Sequence, residues 1–231
     1  MREKAIAIIT ARGGSKRIPN KNIREFCGKP IIAYSIQAAI ESNIFDEIMV
    51  STDSYVIAEI AQKYGARVPF MRSDQTADDY ATTSDVILEV LRNYEKMGRT
   101  FEYISCIYPT APFVTGGKLK SAMKIIETND CVEVMPVVEF SYPPQRCYVI
   151  ENDKMHYKYP EYSEIRSQDL EKYYHDAGQF YFYRTDEYLV RNGKIKGDVY
   201  PLIVSTMEVQ DIDNESDWKI AEIKYKLINS K

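Results

Sequence analysis

Residues 5–22, with the sequence AIAIITARGGSKRIPNKN, constrain the fold of this chain more than any other stretch. The apolar run at residues 5–9 is typical of a strand that is buried on both faces of a parallel sheet. Two adjacent glycines, Gly13 and Gly14, follow it, and their backbone N–H groups can approach a ligand closely. Ligands of open α/β sheets bind at the carboxyl ends of the strands. The stretch therefore predicts an α/β fold with a ligand site after its first strand.

The loop after this strand carries four cationic side chains, which are Arg12, Lys16, Arg17 and Lys21. These charges would repel one another unless an anion lay between them, so the loop predicts a polyphosphate site. It lacks the spacing of a P-loop, and the third glycine of the dinucleotide-binding fingerprint is also absent. The alternative is a solvated basic turn with no ligand.

Length and composition restrict the class of protein. A chain of 231 residues can form one large α/β domain spanning residues 1–231. Its net charge of -4 argues against general nucleic-acid binding. No apolar run is long enough for a signal peptide or a membrane span, which favours a cytoplasmic protein with no membrane partner. The four cysteines show no metal-ligand spacing and are expected to be reduced thiols.

Apolar patterning predicts the order of the remaining elements. Strands are expected at residues 48–51, 67–70, 103–107, 131–138, 180–181 and 200–205. Helices are expected at residues 30–42, 54–64, 85–97, 118–127 and 215–227, with Pro30 at the first helical position and Ser54 as a cap. Alternation of this kind predicts a three-layer α/β/α, Rossmann-like fold with a mainly parallel sheet. Asp53, at the end of a strand, could either start a helix or face the ligand.

Residues 139–174 differ in sequence pattern from the rest of the chain. Two short alternating runs, at residues 148–151 and 155–159, flank Asn152 and Asp153, a pattern that predicts a β-hairpin. The hairpin is rich in aromatic residues, and we expect it to form a small extension that serves as a homodimer arm.

Two aspartates precede the last predicted helix. Alternation in an extended segment places Asp211 and Asp213 on one face, with Ile212 turned inward. Neighbouring carboxylates repel each other unless a cation lies between them, and oxygen ligands near a polyphosphate favour Mg²⁺. Taken alone, an Asp-x-Asp motif before a helix is also typical of helix capping.

The loop ARGGSKRIPNKN resembles the signature loop of the CMP-sialate synthetase family, cytidylyltransferases that activate acidic nine-carbon sugars with CTP. The resemblance implies that Arg12 and Lys16 bind the triphosphate, with Gly13 and Gly14 as backbone donors. It implies a catalytic Lys21 at the α-phosphate and Asn22 near the cytidine or the sugar. Asp211 and Asp213 match the metal ligands of the family. Catalysis would then depend on Lys21, Arg12 and Asp211.

The resemblance extends to other positions. Nucleotide contacts are implied for Arg72 and Ser84, and sugar contacts for Tyr108, Arg166, Gln168 and Gln179. From residue type alone, Arg72 is a surface residue, Ser84 a helix cap and Arg166 a surface arginine. Residues 175–181, HDAGQFY, and the tyrosine at position 108 resemble the branch of the family that acts on pseudaminic acid.

The expected reaction joins CTP and a nonulosonic acid to give the CMP-sugar and pyrophosphate. Pseudaminic acid is the expected sugar, and N-acetylneuraminic and legionaminic acids are the alternatives. A catalytically silent nucleotide-binding subunit is the alternative from another class of protein, but it would have no chemical need for the paired aspartates.

Overall fold

A mixed seven-stranded sheet forms the centre of the protein. The computed structural model describes residues 2–15 and 17–230. The strands are β1 (Arg2–Thr10), β2 (Glu25–Phe26), β3 (Lys29–Pro30), β4 (Glu47–Ser51), β5 (Thr100–Ile107), β6 (Glu133–Glu139), β7 (Tyr148–Glu151), β8 (Lys154–Tyr157), β9 (Tyr174–Asp176), β10 (Phe180–Arg184) and β11 (Val199–Ile203). The helices are α1 (Ile32–Ser42), α2 (Tyr55–Lys63), α3 (Asp74–Ala77), α4 (Thr83–Lys96), α5 (Gly116–Thr128), α6 (Thr185–Val190) and α7 (Glu215–Asn229).

The strand order in the sheet is β11–β6–β10–β5–β1–β4, and β9 pairs with β6. Strands β4, β1, β5, β6 and β11 run in one direction, whereas β9 and β10 are antiparallel to their neighbours. The predicted mainly parallel sheet is therefore confirmed. All five parallel strands end at one edge of the sheet, which we call the carboxyl edge, and the loops that leave these strands meet there.

Side-chain alternation along β1 explains why the sheet is covered on both faces. Ala5, Ala7 and Ile9 pack in one apolar cluster with residues of α1, α2 and α5. Ile6 and Ile8 pack in a second cluster with residues of α4 and with Tyr188 of α6. Because both faces are buried there, β1 is apolar at residues 5–9. This arrangement confirms the predicted three-layer α/β/α architecture.

A third apolar cluster joins two parts of the chain that are far apart in sequence. Ile18, in the basic loop, is fully buried, and Ile212, between the two aspartates, is 2% exposed. Both pack with Phe26 and with Trp218 of α7. Burial of these apolar side chains therefore holds the basic loop against the Asp-x-Asp segment.

Several local predictions are confirmed. Ser54 caps α2 by accepting a hydrogen bond from the Ile57 N–H. Strands β7 and β8 form a separate two-stranded sheet. Its turn residues Asn152 and Asp153 have φ values of 50° and 60°, as a type I′ hairpin turn requires. Ile212 is buried, as the alternation predicted.

Other local predictions are wrong. Pro30 belongs to the short strand β3, and α1 begins two residues later at Ile32. The strand expected at residues 67–70 is reduced to one bridge between Met49 and Arg67, because only Arg67 in this segment pairs with β4. Helix α4 is capped by Thr82, whose capping box with Asp85 starts the helix earlier than expected.

None of the helices in the described part of the chain combines the length and apolarity needed to cross a membrane.

Candidate active site

Two cavities adjoin at the carboxyl edge of the sheet. The first, which we call the basic cavity, has a volume of about 430 Å³ and is lined by Arg12, Arg17 and Lys21. The second, which we call the wide cavity, has a volume of about 640 Å³. Tyr108 and Thr110, in the loop after β5, line both cavities. Two ligands bound in these cavities would therefore meet at this loop.

Arg12 is held from two sides. Its carbonyl accepts a hydrogen bond of 2.8 Å from the side-chain amide of Asn22, which is buried. Its guanidinium donates to the Asp79 carboxylate at 2.8 Å and to the Asp78 carbonyl at 3.0 Å. Asn22 therefore fixes the loop backbone, and the segment after α3 neutralises part of the charge of Arg12. Lys16, also predicted to bind the triphosphate, lies outside the described residues.

The two glycines of the loop differ in their surroundings. The Gly13 N–H donates to Asp53 Oδ1 at 2.7 Å, so this bond ties the loop to the end of β4. A Cβ at Gly13 would lie 3.2 Å from the Cβ of Ser54, which accounts for glycine at this position. A Cβ at Gly14 would meet no atom within 4 Å, so the backbone there is accessible. Asp53 thus orders the loop, and the donor roles in phosphate binding of Gly13 and Gly14 both remain predictions.

Lys21 joins the basic loop to the Asp-x-Asp segment. Its ammonium donates to the Ile212 carbonyl at 2.7 Å. Burial lowers the pKa of Lys21, and the nearby carboxylates of Asp213 and Asp211 oppose that effect. The structure therefore brings Lys21 together with both predicted metal ligands.

The two aspartates offer oxygen donors that suit a hard cation. Asp211 lines the wide cavity, and Asp213 forms an ion pair of 2.8 Å with Arg17 of the basic cavity. No group of three or more potential metal-ligating side chains occurs in residues 2–15 and 17–230. A two-carboxylate site fits Mg²⁺ when phosphate oxygens and water complete its coordination. The donor set thus fits the predicted metal, although the metal itself remains a prediction.

The two other predicted nucleotide ligands, Arg72 and Ser84, are not among the residues that line the basic cavity. Arg72 is buried, not on the surface, and donates to the Ser51 carbonyl at 2.7 Å and to Ser51 Oγ at 3.1 Å. Ser84 donates to the Gly193 carbonyl at 3.1 Å. Neither side chain lines the cavity, so these contacts give both a structural role and their nucleotide contacts stay predictions.

Of the predicted sugar ligands, Tyr108 lines both cavities, and its contact with the sugar remains a prediction. Gln179 is 3% exposed and donates to the Glu208 carbonyl at 2.5 Å, so it holds two loops together. Arg166 forms an ion pair of 2.7 Å with Asp169, and Gln168 lies beside it in a short 3-10 helix. Within this chain, neither Arg166 nor Gln168 lines the wide cavity.

Sequence reasoning missed three residues of the wide cavity as individual ligands: Asp176, Tyr181 and Lys224. The Tyr181 hydroxyl donates to Asp176 Oδ2 at 2.6 Å, and the Gly178 N–H donates to Asp176 Oδ1 at 2.7 Å. The Tyr181 ring packs edge-on against Tyr108. Asp176 and Tyr181 lie in the HDAGQFY block, whose resemblance was recognised without assigning a role to either.

A buried acid lies behind this wall of the cavity. Glu133 of β6 is 9% exposed, and burial raises its pKa to about 7, with a further increase from the charge of Asp176 and an opposing hydrogen bond from Tyr183. Ionisation of Glu133 is therefore unfavourable in the folded protein. Its ordinary pKa of 4.5 applies in the unfolded chain.

Glu133→Gln should stabilise the protein at pH 8 and not at pH 5. The wild type loses stability as pH rises from about 4.5 towards 7, because the unfolded chain releases this proton first. The variant has no such proton, so its free energy of unfolding relative to that of the wild type should increase by about 1–3 kcal/mol from pH 5 to pH 8. Thermal unfolding at both pH values measures this. Glu59→Gln, an exposed change on α2, is the control, and an equal effect at both pH values would contradict the prediction.

Comparison with known proteins agrees with this geometry. Residues 6–223 match the profile of a protein family described as "Cytidylyltransferase". The chain is 40% identical to a pseudaminic acid cytidylyltransferase of Campylobacter jejuni, over 97% of each chain. It is 34% identical to a CMP-N,N'-diacetyllegionaminic acid synthase of Legionella pneumophila, over 94% of each chain.

A solved structure shares the fold. A CMP:2-keto-3-deoxy-manno-octonic acid synthetase in complex with CTP superposes with a TM-score of 0.71 at 16% identity, over 99% of this chain and 100% of that one. Its low identity makes it a comparison of folds alone. The extent of the profile match and the identity to full-length relatives together show that this chain belongs to the cytidylyltransferase family.

Proposed function

We propose that this protein transfers CMP from CTP to the anomeric hydroxyl of a nonulosonic acid, with pseudaminic acid as the sugar, and releases pyrophosphate. The observation that carries the proposal is the junction of the two cavities. A basic cavity suited to a triphosphate opens at Tyr108 and Thr110 into a cavity large enough for a nine-carbon sugar. Lys21 and the Asp211 segment are hydrogen-bonded to each other beside this junction.

The proposed reaction needs positioning and charge stabilisation more than covalent chemistry. The sugar hydroxyl attacks the α-phosphorus in line, a new P–O bond forms, and the bond to the pyrophosphate oxygen breaks. Arg12 and Arg17 would neutralise the triphosphate, and Lys21 would stabilise the negative charge that develops at the α-phosphate. The hydroxyl proton passes to solvent, and no covalent enzyme intermediate is expected.

A Mg²⁺ ion would be held by Asp211 and Asp213. When bound, it would neutralise phosphate charge and acidify the sugar hydroxyl, so a side-chain base would not be needed. Asp211 lines the wide cavity, and the carboxylate of Asp213 is paired with Arg17 on the side of the basic cavity. These two residues would therefore hold the ion between the two substrates.

Pseudaminic acid is favoured because two relatives named for that sugar, both from Campylobacter jejuni, are 40% and 39% identical to this chain, against 34% and 35% for two relatives named for legionaminic acid. The test is pyrophosphate release with CTP and Mg²⁺, with pseudaminic, N-acetylneuraminic and legionaminic acids offered in parallel. Turnover with pseudaminic acid supports the proposal. Turnover with another acid alone would keep the reaction and discard the sugar, and CTP binding without turnover would indicate a silent subunit.

We further propose that the protein is a homodimer that pairs through residues 139–174, and that it acts in the cytoplasm. In the hairpin of this segment, Ile150 is 75% exposed and Met155 is 64% exposed. Apolar side chains exposed together on a protruding hairpin are typical of a surface that another chain covers. All four cysteines are free thiols, as expected in a reducing compartment.

Ile150→Lys combined with Met155→Lys should convert the dimer to a monomer. Two lysines buried in an apolar interface would remain unpaired, and this is strongly unfavourable. Light scattering at several protein concentrations measures the molar mass, with Glu59→Lys on α2 as the control for added charge. A wild type that is monomeric throughout, or a double variant that stays dimeric, would contradict the proposed arm.

A further inference from the structure

The charges that line the wide cavity are unequal in number. Glu139, Asp176 and Asp211 contribute three carboxylates, of which Glu139 is paired with Lys172 at 3.0 Å. In the described part of the chain, Lys224 is the one lysine or arginine among the lining residues. A carboxylic acid that entered this cavity would meet more anions than cations, so the position of this one cation decides where its carboxylate can bind.

Lys224 is placed on the inner side of α7. Trp218 and Ala221 lie six and three residues before it and are buried, so Lys224 follows the helical stripe that faces the protein. Its ammonium donates to the Val209 carbonyl at 2.7 Å and to the Thr206 carbonyl at 3.3 Å. These two bonds hold the end of the side chain at the cavity wall.

The ammonium of Lys224 keeps its charge unpaired and part of its donor capacity unused. An ammonium has three N–H donors, and the two carbonyls account for two of them. No carboxylate of the described residues lies within ion-pair distance of Lys224, in contrast to Lys118, which pairs with Glu208 at 3.0 Å. Burial lowers the pKa of Lys224, which is the expected effect on a cation without a counter-ion.

We propose that Lys224 binds the carboxylate of the sugar substrate and thereby orients the anomeric hydroxyl towards the α-phosphate. The inference rests on the proposed function, because it requires an acidic sugar. In a 2-ulosonic acid, the carboxylate and the anomeric hydroxyl are attached to the same carbon atom. The Lys224 ammonium is hydrogen-bonded to the carbonyl of Val209, two residues before Asp211. Both Val209 and Asp211 line the cavity. A carboxylate bound there brings the hydroxyl to the end of the cavity where Asp211 lies.

Other cations of this chain are less suited to the role. Arg166 is paired with Asp169 and lies outside the cavity lining. His175 lines the cavity, but its Nδ1 is hydrogen-bonded to the Asp176 carbonyl at 2.8 Å and its ring packs on Phe140. Lys21 and Arg17 line the basic cavity, where the triphosphate would occupy them.

The experiment compares a sugar acid with its uncharged carboxamide. The ligands are the acid that the wild type turns over with CTP, measured by its KM, and the corresponding C1 carboxamide, measured as a competitive inhibitor. Lys224→Met should raise KM for the acid by about 30-fold or more, with KM for CTP unchanged. Because the carboxamide has no charge to pair, its inhibition constant should change little. Lys224→Arg should restore much of the preference for the acid.

The control and the opposing outcomes separate this inference from the proposed function. Lys226→Met, an exposed change two residues further along α7, should leave both ligands unaffected. If Lys224→Met weakened acid and carboxamide equally, the role would be structural and the inference would be overturned. An unchanged KM for the acid would overturn it as well, while leaving the cytidylyltransferase intact. Failure of the wild type to use any nonulosonic acid would instead reject the proposed function.

Discussion

Asp211→Ala is expected to reduce turnover by about 10³-fold or more even at saturating Mg²⁺. Asp211 lines the wide cavity and is two residues from Asp213. These two carboxylates are the proposed protein ligands of the metal, so without Asp211 the protein would no longer hold the ion between the two substrates. Pyrophosphate release under saturating CTP and sugar measures the effect. A second readout is binding of Mn²⁺ in the presence of CTP, which should weaken in parallel.

Asp130→Ala is the matched control, because it removes the same charge from an exposed position just before β6, at the opposite edge of the sheet. It should leave both readouts unchanged. If Asp211→Ala kept most of the wild-type turnover and its affinity for Mn²⁺, Asp211 would not be a metal ligand.

Lys21→Ala should lower kcat by about 10²-fold or more, with a smaller effect on KM for CTP. The physical reason is that a partly buried ammonium at the α-phosphate stabilises charge that exists only in the transition state. Burial lowers the pKa of Lys21 without any direct ion pair among the described residues, and its hydrogen bond to the Ile212 carbonyl fixes its position. Steady-state kinetics with varied CTP separates the two parameters.

Lys63→Ala, an exposed change at the end of α2, is the control for loss of a positive charge. A rise in KM for CTP with kcat unchanged would make Lys21 a binding residue. Because Lys21 also holds the Asp-x-Asp segment, Mn²⁺ binding distinguishes two causes of a low kcat. Unchanged affinity for Mn²⁺ indicates loss of transition-state stabilisation, whereas weakened affinity indicates displacement of the aspartates.

The fold could be predicted because its signals are local. The apolar run of β1, the Ser54 cap and the turn at Asn152 and Asp153 each act over a few residues, and the structure contains all three. The expected strand at residues 67–70 failed because pairing depends on what a neighbouring strand offers, and only Arg67 reaches β4. Patterning predicts where a strand can form and not whether it finds a partner.

The candidate site could be predicted only in part. Residue type and spacing located the basic loop and the paired aspartates. They did not show that the Gly13 N–H is hydrogen-bonded to the Asp53 carboxylate, or that the Gln179 side-chain amide donates to the Glu208 carbonyl. Such contacts join residues far apart in sequence. The position of Lys224 was a usable signal in the sequence. This lysine lies on the same face of α7 as Trp218 and Ala221, which are buried against the protein.

The apolar cluster that contains both Ile18 and Ile212 has a consequence for how the enzyme is made. The groups that would hold phosphate and metal come from opposite ends of the chain, and Lys21 bonds to a carbonyl 191 positions later. During synthesis, the first strand and its loop would emerge long before the segment that completes the site. Catalytic competence therefore requires the segment before α7 to be docked on the loop after β1, so appearance of activity would report that docking and not formation of the first strand.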